Sequence, residues 1–176
     1  RATPEFYRLV SSLNRKGLNF TMPETMAPEL EFVTSYCHCK RGFRHLWSKA
    51  FPNNSSLEIA IPQGFITGNK EEAIEAAWWF RRQNRSFVIK YNRGVQGIGI
   101  LLNYHSTLPE GKKAFTEHLQ NQMTDQIWQE PSIIVEEMIN IDKNRLGGSP
   151  SVEFFIDKNG EVNTTYGCEQ ILGDDR

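Results

Sequence analysis

The chain has 176 residues, 39% hydrophobic and 23% charged, with a formal net charge of -1. That length can bury a real core as one ordinary domain or two small subdomains, and the composition is globular rather than disordered. Near-neutral charge gives no global attraction to nucleic acid or an anionic membrane, and no apolar run reaches the roughly 18–20 residues of a membrane span, so neither is an expected partner.

The start, Arg1-Ala2-Thr3-Pro4, carries no methionine and no signal-peptide pattern, so an excised piece or trimmed chain is expected. Thr3-Pro4-Glu5 reads as a helix start, Phe6, Leu9, Val10 and Leu13 as its apolar stripe, and Gly17 as its stop. A second helical segment is predicted over Pro28 to Phe51, with a break near Gly42. Three cysteines without framework spacing point to reduced thiols in a cytoplasmic protein. Cys37, His38, Cys39 and His45 amount to four possible zinc ligands, but Cys-x-Cys lacks the usual zinc spacing, and ordinary partly buried side chains are the simpler reading.

Pro52 to Ser56 is a loop by composition, and Leu57 to Ile61 alternates as a short strand. Asn69-x-x-Glu72 predicts a capping box, with Ala73, Ile74, Ala77 and Trp78 on the inner helix face. Strands are predicted at Phe87–Ile89 and Ile98–Leu102, and a second capping box, Thr107-x-x-Glu110, predicts a helix towards Ile127. Ile133 to Ile139 reads as an apolar strand and Asn140 to Pro150 as a loop. Val152–Ile156 and Glu161–Thr165 flank Lys158-Asn159-Gly160, a hairpin signal because Asn-Gly accepts positive φ. Strands and helices are mixed without regular βαβ alternation, so the class expected is α+β.

Three groups of residues bear on chemistry. Lys90 ends a strand and is followed by Gly94, Gln96, Gly97 and Gly99. A lysine on a strand offers a positioned point charge, and glycines let backbone N–H groups approach phosphate oxygens. A plain β-hairpin with a glycine-rich turn explains the same residues, and the loop is neither a Walker pattern nor a dinucleotide fingerprint. Glu136 and Glu137 sit inside an apolar strand, where carboxylates are expensive unless paired or partly solvated. Glu153 is the lone acid entering the strand Val152-Glu153-Phe154-Phe155, able to accept two hydrogen bonds from a vicinal diol or to stand solvated on a strand edge.

The order strand-lysine, glycine turn, helix, acidic strand, loop, strand-glutamate, hairpin resembles the ATP-grasp fold over roughly Lys40 to Arg176. The run SPSVEFFIDKNGEV followed by Cys168-Glu169-Gln170-Ile171-Leu172-Gly173 is most similar to peptide-ligase-like or pre-ATP-grasp members. The resemblance implies a helical N-terminal part over residues 1–56, a lid subdomain over 57–133, and a hinge strand with the start of a second subdomain over 134–176. It implies that Lys90 contacts ATP phosphates under a cover formed by Gly94, Gln96, Gly97 and Gly99. Glu136 to Ile139 would hold adenine, with the Glu137 and Ile139 main chain nearest its edge, and Glu153 would take the ribose hydroxyls. Lys40, in Cys39-Lys40-Arg41-x-Phe43, corresponds to the family's earlier basic residue, though an exposed helix lysine explains it too. The activity implied is carboxylate activation by ATP and magnesium, an acyl phosphate then being attacked by an amine or other nucleophile. Magnesium ligands are expected beyond Arg176, and Asp174 and Asp175 look like a solvated terminal turn. A non-catalytic nucleotide-binding module and a structural α+β domain are the rival readings.

Overall fold

The computed structural model describes residues 3–22, 25, 27–52, 60–95, 97–141, 149–157 and 159–170. It is α+β, with helices and two antiparallel sheets. The chain divides into two compact units, residues 1–31 with 140–176, and residues 32–139. This differs from the division at residues 56 and 133 suggested by the resemblance, because the strand at Ile133 lies inside a sheet of the second unit.

In the first unit, helix α1 spans Pro4–Arg15, and Thr3 caps it by accepting a hydrogen bond from the Phe6 N–H at 3.3 Å. Gly17 follows at φ +85°, the left-handed conformation that ends helices. The buried positions of α1 are Tyr7 and Val10, while Phe6 and Leu9 of the expected stripe are exposed. Strands β5 (Pro150–Ile156) and β6 (Val162–Glu169) form an antiparallel hairpin with a bulge between Glu153 and Phe154. Its turn has Gly160 at φ +84°, and Asp157 Oδ1 accepts from the N–H groups of Asn159 and Glu161 at 2.8 and 2.9 Å.

The predicted helix over Pro28 to Phe51 is broken at His38–Cys39 rather than at Gly42. After a 3₁₀ turn, α2 runs Glu31–Cys37 and α3 runs Lys40–Ala50. Gly42 lies within α3 for a packing reason: a Cβ there would stand 1.8 Å from the Tyr36 carbonyl oxygen. Cys39 caps α3, its Sγ accepting from the Gly42 N–H at 3.3 Å and donating to the Tyr36 carbonyl at 3.1 Å.

A four-stranded antiparallel sheet, in the spatial order Gly64–Thr67, Ile133–Glu137, Phe87–Tyr91, Ile100–Asn103, organises residues 32–139. It comprises β1 (Gly64–Thr67), β2 (Phe87–Tyr91), β3 (Ile100–Asn103) and β4 (Ile133–Glu137). Of the strand expected at Leu57 to Ile61, residues 57–59 lie outside the described residues and 60–61 are irregular. The strand that completes the sheet is instead Gly64–Thr67, whose flanking glycines masked it.

Helix α4 (Lys70–Arg82) begins at the predicted capping box. Asn69 accepts from the Glu72 N–H at 2.8 Å, and Glu72 reaches back to the Gly68 N–H at 2.7 Å. The second capping box does not form. Pro109 favours extended backbone at Leu108, which has ψ 141°, and α5 starts later, spanning Lys112–Gln122. Ala73, Ile74, Ala77 and Phe80 of α4, with Phe115 and Leu119 of α5, bury one face of the sheet: Phe87 and Ile89 of β2, Ile133 and Val135 of β4. No helix among the described residues is long and apolar enough to cross a membrane.

Candidate functional site

Strand alternation sends the residues between those core positions to the opposite face. Val88 and Lys90 of β2 therefore share a face with Ile134 and Glu136 of β4, because Val88 pairs with Glu136 and Lys90 with Ile134. Gly64 of β1, paired with Glu136, joins them. This face carries charge where the helix-covered face carries a core.

Glu136 is buried and uses both carboxylate oxygens. Oε1 is paired with the Lys90 ammonium, and Oε2 accepts from Arg44 Nη1 of α3 at 2.9 Å. The second arm of the guanidinium, Nη2, donates to the Pro62 carbonyl at 2.8 Å. Gly64 leaves room for this arrangement, since a Cβ at that position would lie 2.7 Å from Glu136 Cβ and 3.0 Å from Arg44 Nη2.

Lys40, one turn before Arg44, is half-buried and donates from Nζ to the Gly94 carbonyl at 2.7 Å. Burial, followed by the charge of Lys90, pulls its pKa below the ordinary 10.5, with Glu136 and Cys39 opposing. The helix is docked on the turn by buried Asn92, which accepts from the Arg41 N–H through Oδ1 at 2.9 Å and from the Lys40 N–H through its carbonyl at 3.1 Å.

Of the residues singled out in the sequence, Lys40, Lys90, Gly94 and Glu136 come together here. Gly97 and Gly99 lie in the same turn at φ +83° and +68°; Gln96 lies outside the described residues. The turn has its own need for glycine: a Cβ on Gly94 would meet the Ile98 carbonyl oxygen at 2.1 Å, and one on Gly99 would meet Tyr91 Cβ at 2.4 Å.

Glu137 points to the opposite face, its carboxylate paired with Arg85 and accepting from the Gln63 N–H at 3.1 Å. Its own N–H donates to the Gln63 carbonyl at 2.9 Å, so that main-chain donor is already used. Ile139 lies beyond the strand with an exposed side chain, and among the described residues its N–H has no partner. Glu153 belongs to the first unit, where its exposed carboxylate accepts from the Tyr166 hydroxyl at 3.0 Å; that bond raises the phenol pKa above 10.0.

Arg44, Gly64 and Asn92 were not singled out from the sequence. Arg44 follows Lys40 by four positions and so falls on the same helix face, which is the one local signal that could have found it. Among the described residues no group of three or more His, Cys, Asp or Glu could hold a metal ion. His45 Nδ1 instead meets the Tyr36 hydroxyl at 2.9 Å. A surface depression beside α4 is lined by Trp78, Arg81, Arg82, Asn84, His105 and Glu110. Arg81 there is spent on structure, donating to the Pro109 and Leu108 carbonyls at 3.1 and 3.3 Å.

No protein-family model matches the chain, and no curated protein matches it.

Proposed function

We propose that residues 32–139 bind the phosphates of ATP, within an ATP-grasp ligase that activates a small carboxylate as an acyl phosphate. The observation that supports this reading is the charge balance around Glu136. Three cations, Lys40, Arg44 and Lys90, face one carboxylate, a surplus of two positive charges in a chain whose formal net charge is -1. Cations crowded together in a partly desolvated place repel one another, and a bound anion would offset that cost. The turn held by Lys40 sets its backbone beside these cations, Lys40 Nζ donating to the Gly94 carbonyl.

The donor set suits a polyphosphate. An ammonium has three N–H donors, so Lys90 keeps donors beyond its bond to Glu136. Phosphoryl transfer asks mainly for charge neutralisation and alignment of the phosphates, both of which fixed lysines supply. Magnesium enters this reading as the ion that accompanies the nucleotide.

Calorimetric titration of the protein and of Lys90→Ala with Mg·ATP and with adenosine tests the reading. Glu136 keeps Arg44 as a partner in the variant, so the fold should survive. ATP affinity should fall at least about tenfold, roughly 1.4 kcal/mol, with adenosine affinity unchanged. Equal loss for both ligands would remove Lys90 from the phosphate site, and no ATP binding by the unaltered protein at millimolar concentration would sink the reading.

A further inference from the structure

Arg44 adds to the positive charge around Glu136, but it is held more firmly there than Lys90. Its side chain is 12% exposed, against 28% for Lys90. One arm of the guanidinium is anchored on the Pro62 carbonyl, just before β1, and the other grips Glu136. A planar fork fixed at two points cannot swing away as a lysine could. Glu136 stands between two cations, with one oxygen for each, and the contacts run in a line from Pro62 through Arg44 and Glu136 to Lys90. Gly64 keeps the space in which this line forms.

Removing Arg44 would leave Glu136 Oε2 buried without its donor. A carboxylate in that state turns both oxygens to the remaining cation, because an unpaired buried oxygen costs more than a shared one. Lys90 would then be drawn onto Glu136 and its charge fully offset.

We propose that Arg44 is a positioning residue: by occupying one oxygen of Glu136, it fixes where the Lys90 ammonium sits and leaves that ammonium donors for phosphate. The inference rests on the phosphate-binding reading of the same site. Arg44 acts here through Glu136, with no contact of its own to the nucleotide.

The test is a cycle of Arg44→Met, Glu136→Gln and the double variant, titrated with Mg·ATP and adenosine. Arg44→Met should weaken ATP binding by about tenfold, the usual effect of losing one charge-assisted hydrogen bond, and leave adenosine unchanged. Arg44→Lys should recover part of the loss. In the Glu136→Gln background, where the competing charge is gone, the Arg44 substitution should have a much smaller effect on ATP, that of the lost charge alone. A full loss in that background would mean that Arg44 acts on the ligand or the fold directly, and no loss in either background would equally overturn the inference. Should the methionine variant not fold, Arg44→Lys completes the same cycle with a proportionately smaller expected loss. A second readout needs no ligand: the ¹⁵Nζ resonance of Lys90, assigned through Lys90→Arg, should move in the Arg44 variant, and an unmoved resonance overturns the positioning role. If the unaltered protein ignores ATP while this resonance does move, the phosphate reading fails and the geometric link stands.

Discussion

Lys40 shows how a single side chain can be legible in type and illegible in environment. From the sequence it is a basic residue on a helix, equally fit for solvent or for phosphate; in the fold it is half-buried, bonded to the Gly94 carbonyl and close enough to Lys90 to be repelled. Its pKa is lowered, so between that depressed value and 10.5 the unfolded chain binds more protons than the folded one. Stability contributed by this group therefore rises with pH across that window. Tyr91 has the opposite sign: burial and Glu130 raise its phenol, so its contribution falls with pH, but only above 10.0. Lys40→Met should remove the rise below that point, seen as a flatter dependence of the urea midpoint on alkaline pH. An unchanged slope would show that Lys40 is an ordinary solvated lysine. Gly94 and Gly99 carry a related lesson, since both are required by close backbone approaches inside the turn itself before any ligand is considered.

Two asparagine caps separate local from tertiary information at the scale of the element. Asn69 caps its own helix three residues on, a pattern visible in the sequence, and Asn69→Ala should cost about 1 kcal/mol in urea unfolding and nothing in ATP affinity. Asn92 caps a helix 51 positions earlier, a contact no local window reveals. Asn92→Ala should cost a similar or larger amount, about 1–2 kcal/mol, and should also weaken ATP binding because the turn that Lys40 holds comes loose from α3. Equal behaviour of the two variants towards ATP would contradict the link between cap and site. The boundaries that differ from expectation have similar causes. The α2–α3 break falls where Cys39 turns its thiol onto the Gly42 N–H, and α5 is delayed by the extended residue before Pro109.

Residues 32–139 keep their apolar and charged faces on one four-stranded sheet. Phe80, fully buried against Phe65 and Phe87, belongs to the helix-covered face. Phe80→Ala should cost about 3–5 kcal/mol by loss of burial and an unfilled cavity, read from the urea midpoint; a loss below about 1 kcal/mol would mean the core collapses around the gap. The sequence by itself determined the kind of most elements, though not the strand Gly64–Thr67, and the α+β class, because period-2 and period-3.6 patterns and the caps at Thr3 and Asn69 act over a few residues. It also marked Glu136 and Glu137 as carboxylates in need of partners. Only the tertiary structure decided which partners they take. Lys90 meets Glu136 across 46 positions and Arg44 meets it across 92, and those pairings follow from the strand order β1-β4-β2-β3 and from where α3 docks. Strand order is set by how the whole chain buries its apolar face, a sum over distant contacts that no short stretch of sequence contains.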